Sequence, residues 1–501
     1  MESLFMKKNE TLRFELLKEL LYAPNGVSTK DMMKKFTISS KTFYRYKQKL
    51  NDDLNHVFPY QQVKIRKIKL LYMINLADSL TFSYVIDSMR LYYIKHSQRF
   101  SILAALLKRH YVSVESLAQD LSLSPSHVYS NLKQLKNLLS PFHLKISFAP
   151  TLYQTNIIGE EKNIRVLGFI LFWIIFKGLE WPFEKTPSAY QTMPIVVDDE
   201  RLSFSQKNRI RYFQNATFWR MLYRKESLTL SGEFMDYLRF FEQESPTLLF
   251  SELDHVDLDS IDVKSEAYFF GFLLRFLVAN IDSDEEKKRI AQHFINSELP
   301  IALLTTKILN KLLLAYNVKL TSDNYLKNYY LLIINLLYIR YIGIDFRRFL
   351  VNDSVESKAK WFAPNEDSYR SFVKEAMVSE PLLKKYMKPG FISLMAKFFH
   401  SILKSAEKEA KLLIFIQHSP NNFIYDFIKN NLLIIFGDST LGFTFDADKA
   451  DIIISDSYEL EQTNVRSFHF EHSHDPETWK ALILFVSGKI YALHNPQLKQ
   501  S

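Results

Sequence analysis

The 501-residue chain contains no cysteine. That absence excludes disulfides, cysteine-ligated zinc or iron–sulfur centres, and a thiol nucleophile. Glycine (11) and proline (16) are scarce for this length, which argues against long linkers and a turn-rich all-β fold and favours helices. Long hydrophobic runs are missing too. The most apolar stretch, residues 166–176, reads as a buried helix because it is too short to span a bilayer. The opening Met-Glu-Ser-Leu-Phe-Met-Lys-Lys lacks a basic-then-apolar export pattern. A cytoplasmic protein without a membrane partner is therefore expected. There is no Gly-rich phosphate loop of Walker type, no His-Glu-x-x-His and no Gly-x-Ser-x-Gly, so neither an enzyme nor a cofactor is expected.

What is present is a soluble composition, 47% apolar and 24% charged, in a length that calls for three to five domains. The charge is segregated. Residues 1–165 hold 25 Lys and Arg against 13 Asp and Glu, and the remainder holds 39 against 42. The whole positive excess sits in the first third, which points to a polyanion partner there.

That third repeats itself at an offset of 85 residues. Identities fall at Val27/Val112, Ser28/Ser113, Ser39/Ser124, Tyr44/Tyr129 and Leu50/Leu135, and apolar equivalents at Met32/Leu117, Met33/Ala118, Phe36/Leu121, Ile38/Leu123 and Phe43/Val128. Each copy reads as two short helices crossing at a tight turn. In the second, Ser124 caps a helix with Pro125 at its first position. Val128, Leu132 and Leu135 face inward, leaving Ser126, His127, Ser130, Asn131, Lys133 and Gln134 outward. In the first, Ser39 caps, Phe43 and Leu50 turn inward, and Lys41, Thr42, Arg45 and Lys49 turn outward. Such helices suit the DNA major groove. A strand-like wing follows each copy. Val63-Lys-Ile-Arg-Lys-Ile-Lys presents Lys64, Arg66, Lys67 or Lys69 toward phosphate, and two strands after the second copy, 143–148 and 153–158, flank an Ala149-Pro150 turn. Lys136 completes the expected contact set. Double-stranded DNA is the expected partner, and an RNA-binding antiterminator or a non-catalytic scaffold are the alternatives.

At Ile158-Gly-Glu-Glu-Lys-Asn-Ile-Arg165 the second wing closes and a long helix opens. With the doubled helix-turn-helix, the length and the order of parts, this resembles the Mga/AtxA family of global and virulence transcriptional regulators of Gram-positive bacteria. The first 165 residues match motif by motif, and the rest matches in layout. The resemblance implies a mostly α, multidomain fold: winged helix-turn-helix units at 1–75 and 76–164, helical domains like PTS-regulation domains (PRDs) at 165–295 and 296–406, and an α/β domain similar to a sugar-transport IIB component at 407–501. It also implies a homodimer joined through the last domain, and phosphate received from sugar phosphotransferase carriers.

The residues themselves support helices at 164–177, 266–279, 303–316 and 325–341, and an alternating tail that reads as a parallel α/β sheet. A IIB domain places its phosphorylated cysteine after the first strand. This chain has Gln417-His418 there, so sulfur-based transfer is excluded. His293, His255 and His418 are the candidate phosphate acceptors, with His293 first, while His400 reads as core. His469, His472 and His474 read as a solvated loop and not as a metal site.

Overall fold

The computed structural model describes residues 2–23, 25–148, 155–180, 182, 202–223, 227–244, 262–278, 281–345, 366–406, 411–417, 422–455, 466–470 and 475–494. The fold is mostly helical and divides into two compact units. One comprises Met1–Lys311, Thr321–Asp353 and Lys374–Ile392; the other comprises Leu312–Leu320, Ser354–Val373 and Ser393–Ser501.

The larger unit opens with α1 (Lys8–Leu21), β1 (Val27–Ser28), α2 (Thr29–Phe36), α3 (Ser40–Val57) and the hairpin β2 (Val63–Ile68) and β3 (Leu71–Leu76). The sheet is antiparallel, with β3 between β1 and β2 and Val63 paired with Leu76. Next come α4 (Phe82–Lys95), α5 (Gln98–Lys108), α6 (Val114–Asp120), α7 (Pro125–Leu139) and the short antiparallel pair β4 (Lys145–Ile146) and β5 (Ile157–Ile158). The strands expected at 143–148 and 153–158 are two-residue pairs among the described residues, and residues 149–154, with the Ala149-Pro150 turn, lie outside them.

The bundle of this unit contains α8 (Glu161–Phe176), α9 (Phe204–Phe218), α10 (Gly232–Glu244), α11 (Val263–Leu277), α12 (Asp284–Ile295), α13 (Pro300–Ala315) and α14 (Ser322–Leu337). Helix α14 continues into a wider turn, Tyr338–Ile342, closed by Gly343 at φ +63°. Helix α8 is apolar on nearly every face and buried almost throughout, as a helix enclosed by neighbours must be.

The smaller unit includes α15 (Glu366–Val373), and much of α16 (Pro389–Ala406) falls in it. Then follow β6 (Leu412–Gln417), α17 (Asn422–Phe436), β7 (Leu441–Thr444), β8 (Ile452–Ser455), β9 (Arg466–His469) and α18 (Pro476–His494). The four strands form one parallel sheet in the order β7-β6-β8-β9. Ile414, Ile452 and Ile454 are enclosed by Ile428 and Leu432 of α17 and Leu482 and Val486 of α18. Burial by helices explains why β8 is apolar without alternation. Among the described residues, no helix is long and apolar enough to cross a membrane.

Candidate nucleic-acid interface

The two helix-turn-helix copies are built alike down to single atoms. Ser28 caps α2 by accepting from the Asp31 amide, and Ser113 caps α6 by accepting from the Ser116 amide. Ser39 caps α3 by accepting from the Thr42 amide, and Ser124 caps α7 by accepting from the His127 amide, with Pro125 at the first helical position. Each cap satisfies an amide that the helix itself leaves open. Between the helices, Thr37 (φ +53°) and Ser122 (φ +52°) both take the left-handed conformation. The next amide then closes the turn, Ile38 N–H to Met33 O and Leu123 N–H to Ala118 O. Phe43, Leu50 and Leu54 of α3 are buried, as are Val128, Leu135 and Leu139 of α7.

The opposite faces stand free. Ser39, Lys41, Arg45 and Lys49 are exposed on the first copy, and Ser124, Ser126, His127, Ser130, Lys133 and Lys136 on the second. Thr42 is half-exposed, with its hydroxyl 3.0 Å from the Ser39 hydroxyl at the cap. One expectation needs correction. Asn131 is buried, and its amide donates to the His127 carbonyl at 2.9 Å. Three residues past Val128, it falls on the flank of the apolar stripe and spends its donor within the helix.

In the first wing, burial alternates as the sequence predicts, with Val63 and Ile65 inward and Lys64 and Arg66 outward. Lys64 bonds the Gln61 amide oxygen at 2.6 Å. Lys69 (φ +55°) turns the hairpin, leaving Leu70 exposed at its tip. Lys41, Arg45, Lys49, Arg66, Lys133 and Lys136 make no ion pair among the described residues, so these cations lack an internal counter-charge.

Some members of this surface carry no mark in the sequence pattern. Lys47 is one: with Lys67 of the wing it lies over the Tyr72 ring, at 5.4 and 5.8 Å from the centroid. Tyr44 and Tyr129 are exposed on equivalent turns of α3 and α7, and their identity across the repeat was the available signal. Burial pushes the Tyr72 hydroxyl up, helped by Tyr44. Behind α3, Arg13 pairs with Asp53 at 2.7 Å and Tyr93 donates to the same carboxylate at 2.6 Å, fixing the helix to α1 and α4. Burial raises the Asp53 pKa, and the Tyr93 bond and Arg13 only partly offset it. In the second wing Asn156 is fully buried and staples three backbone groups: Tyr111 N–H, Tyr111 O and Ser147 O.

The segment 159–165 anchors the second wing to the bundle. A Cβ on Gly159 (φ +157°) would lie 2.5 Å from Leu144 Cδ2 and 3.1 Å from the His143 carbonyl, so the wing leaves no room for a side chain. Arg165 pairs with Glu161 at 2.6 Å and with both oxygens of Glu266 at 2.7 and 3.0 Å. Arg220 closes the network on Glu161. Burial raises both carboxyls, but the two guanidiniums beside Glu161 carry it below its usual value, whereas Glu266 stays raised.

Of the candidate phosphate acceptors, His293 is half-buried in the last turn of α12, while His255 and His418 lie outside the described residues. His400 is half-buried, with its ring 5.3 Å from that of Tyr369. His472 and His474 also lie outside the described residues.

The model of the Mga helix-turn-helix domain matches residues 1–70 and 83–172, one stretch for each copy of the repeat. The chain is 24% identical over 243 residues to the capsule synthesis positive regulator AcpB of Bacillus anthracis, a match covering 46% of this chain and 48% of that protein. It is 29% identical over 143 residues to a candidate trans-acting regulator of Streptococcus pneumoniae, covering 28% and 27%. The chain thus matches about half, or less, of the length of these relatives.

Proposed function

From a chain whose helix-turn-helix domain is of the Mga/AtxA regulator type, we propose a transcriptional regulator that grips duplex DNA with both recognition helices. The observation that carries this reading is the pair of identically capped helices, α3 and α7, each with a buried apolar face and unpaired cations on the other. Lys41, Arg45, Lys49, Lys64, Arg66, Lys133 and Lys136 reach phosphates, and Ser126, His127 and Ser130 lie nearest base edges. Because lysine–phosphate contacts dominate, affinity depends steeply on salt. Fluorescence anisotropy with a labelled duplex between about 50 and 200 mM salt measures the slope of log K against log salt, about −0.9 per neutralised phosphate. Changing Lys41, Arg45 and Lys133 together to Ala removes about three units of slope. A flat response, or equal retention of RNA, overturns the reading.

The finer reading follows the five-part division given above. The helices of 165–406 form two PRD-like bundles, and the parallel sheet of 407–501 is the IIB-like part that joins two copies. Exposed Ile434 and Leu484 in that part support the homodimer, and light scattering of the doubly changed Ile434→Asp, Leu484→Asp protein tests it. Phosphate transfer from phosphotransferase carriers falls on His293. Incubation with labelled phosphoenolpyruvate and those carriers labels the wild type but not His293→Ala.

A further inference from the structure

The buried ion network uses only one face of the segment 159–165. Its other face, Glu160, Lys162 and Asn163, lines a cavity of about 490 Å³ within the larger unit. His143 of the second winged helix forms one wall, and the bundle supplies the others through Glu233, the turn 340–343 and the stretch 385–388.

The lining is cationic. Lys162, Arg340, Lys385 and Lys388 face Glu160 and Glu233, which leaves an excess of two positive charges with His143 neutral. The carboxylates are engaged: Glu160 pairs with Lys162 at 2.6 Å, and Glu233 lies 3.7 Å from Arg340. Lys388 has no carboxylate within ion-pair distance among the described residues. Its ammonium donates to the Gly343 carbonyl at 2.8 Å and lies 3.2 Å from His143 Nε2. Burial lowers the Lys388 pKa, and burial followed by the Lys388 charge lowers that of His143. The Lys388 ammonium thus rests on an imidazole kept neutral, both partly stripped of water, with Asp345 and Glu160 acting on them as nearby charges and not as ion-pair partners. Polar atoms are left open as well. Asn163 is 3% exposed, and neither its side-chain oxygen nor Arg340 Nε has a hydrogen-bond partner among the described residues. Buried polar groups of this kind call for a partner.

We propose that this cavity binds a small phosphate monoester of about the size of a sugar phosphate. The charge excess matches the −1.5 to −2 that a phosphate monoester carries near neutral pH. The volume exceeds what bare phosphate needs and falls in the range of small-molecule sites. Lys385, Lys388 and Arg340 take the phosphate, and Asn163 and Glu233 offer amide and carboxylate groups to hydroxyls. Because the walls come from both the second winged helix and the bundle, a bound ligand ties one to the other.

The test is calorimetric titration of the full chain with glucose 6-phosphate, inorganic phosphate, sulfate and glucose. Glucose 6-phosphate is expected to bind one to one, inorganic phosphate more weakly, and glucose not at all. Lys388→Met and Lys385→Gln each weaken the first about tenfold or more, as loss of a charge-assisted contact implies. Their circular dichroism and melting temperature show whether each variant folds. A second readout needs no variant: bound glucose 6-phosphate slows acetylation of Lys388 in the wild type, followed by peptide mass spectrometry. Absence of saturable heat with glucose 6-phosphate overturns the proposal. So do sulfate binding of equal strength, unchanged affinity in both variants, and displacement of the ligand by random duplex DNA, which would give these cations to the DNA backbone.

Discussion

Arg165 and Glu266 are both fully enclosed, so changing Arg165 strips Glu266 of its cation, and changing Glu266 leaves Arg165 to share Glu161 with Arg220. That costs about 3–5 kcal/mol, whereas replacing a buried pair by apolar groups of similar volume is often neutral. Glu266→Gln is expected to lower the unfolding free energy from urea titration by that amount, and the double change Arg165→Met, Glu266→Leu to recover most of the loss. Equal losses in the single and double variants would contradict the network. The sequence displayed Glu161 and Arg165 as part of a motif. Their partners Arg220 and Glu266 stand 59 and 101 residues away, and no local pattern points to them. His143 gives a second residue-scale outcome. Burial and then Lys388 hold its pKa below the ordinary value, with Glu160 and Lys162 acting in opposite directions nearby. The unfolded chain takes up a proton near pH 6.5 that the folded chain resists, so stability is full above that pH and declines as pH falls below it. His143→Gln is expected to flatten the melting-temperature profile between about pH 7 and 5. An unaltered profile would rule this out.

At the scale of elements, capping decides where α3 and α7 start, and with it where the residues proposed to face DNA stand. Ser124→Ala is expected to cost about 1 kcal/mol in chemical denaturation, and Ser124→Asp to keep most of that stability. Loss of the same size in both variants would mean the hydroxyl matters for another reason. In the second wing, Gly159→Ala places a methyl against Leu144, and overpacking of this kind costs about 1–3 kcal/mol. Thermal melting of the purified variant checks it. The 85-residue repeat made these helices legible, since caps and apolar spacing are local signals that survive without a structure. Asn131 was misplaced because short polar residues read as outward wherever they stand, and only the packed helix shows its amide turned back on His127. The second wing was overlong in the sequence reading because apolar alternation does not say how far two strands stay paired. Asn156 was missed for the opposite reason: one buried amide in a polar stretch carries no periodic mark.

For the molecule as a whole, charge segregation points to a polyanion partner for the first third, and missing cysteine excludes thiol chemistry. The parallel sheet was legible from short apolar runs separated by helix-like segments, and the observed order β7-β6-β8-β9 needed the register. Helices of 165–406 were legible as helices only, because apolar spacing reports a buried face without naming what covers it. Helix α8 begins at the wing-closing Gly159-Glu160, and its last residue, Phe176, meets Phe100 of α5 with ring centroids 6.1 Å apart. Its 16 residues make a rod about 24 Å long, fastened near both ends to the second winged helix and clad by the bundle in between. Held near both ends, the rod makes the seat of the second winged helix and the packing of the bundle depend on the same buried residues, so a substitution that loosens one end is expected to be felt at the other.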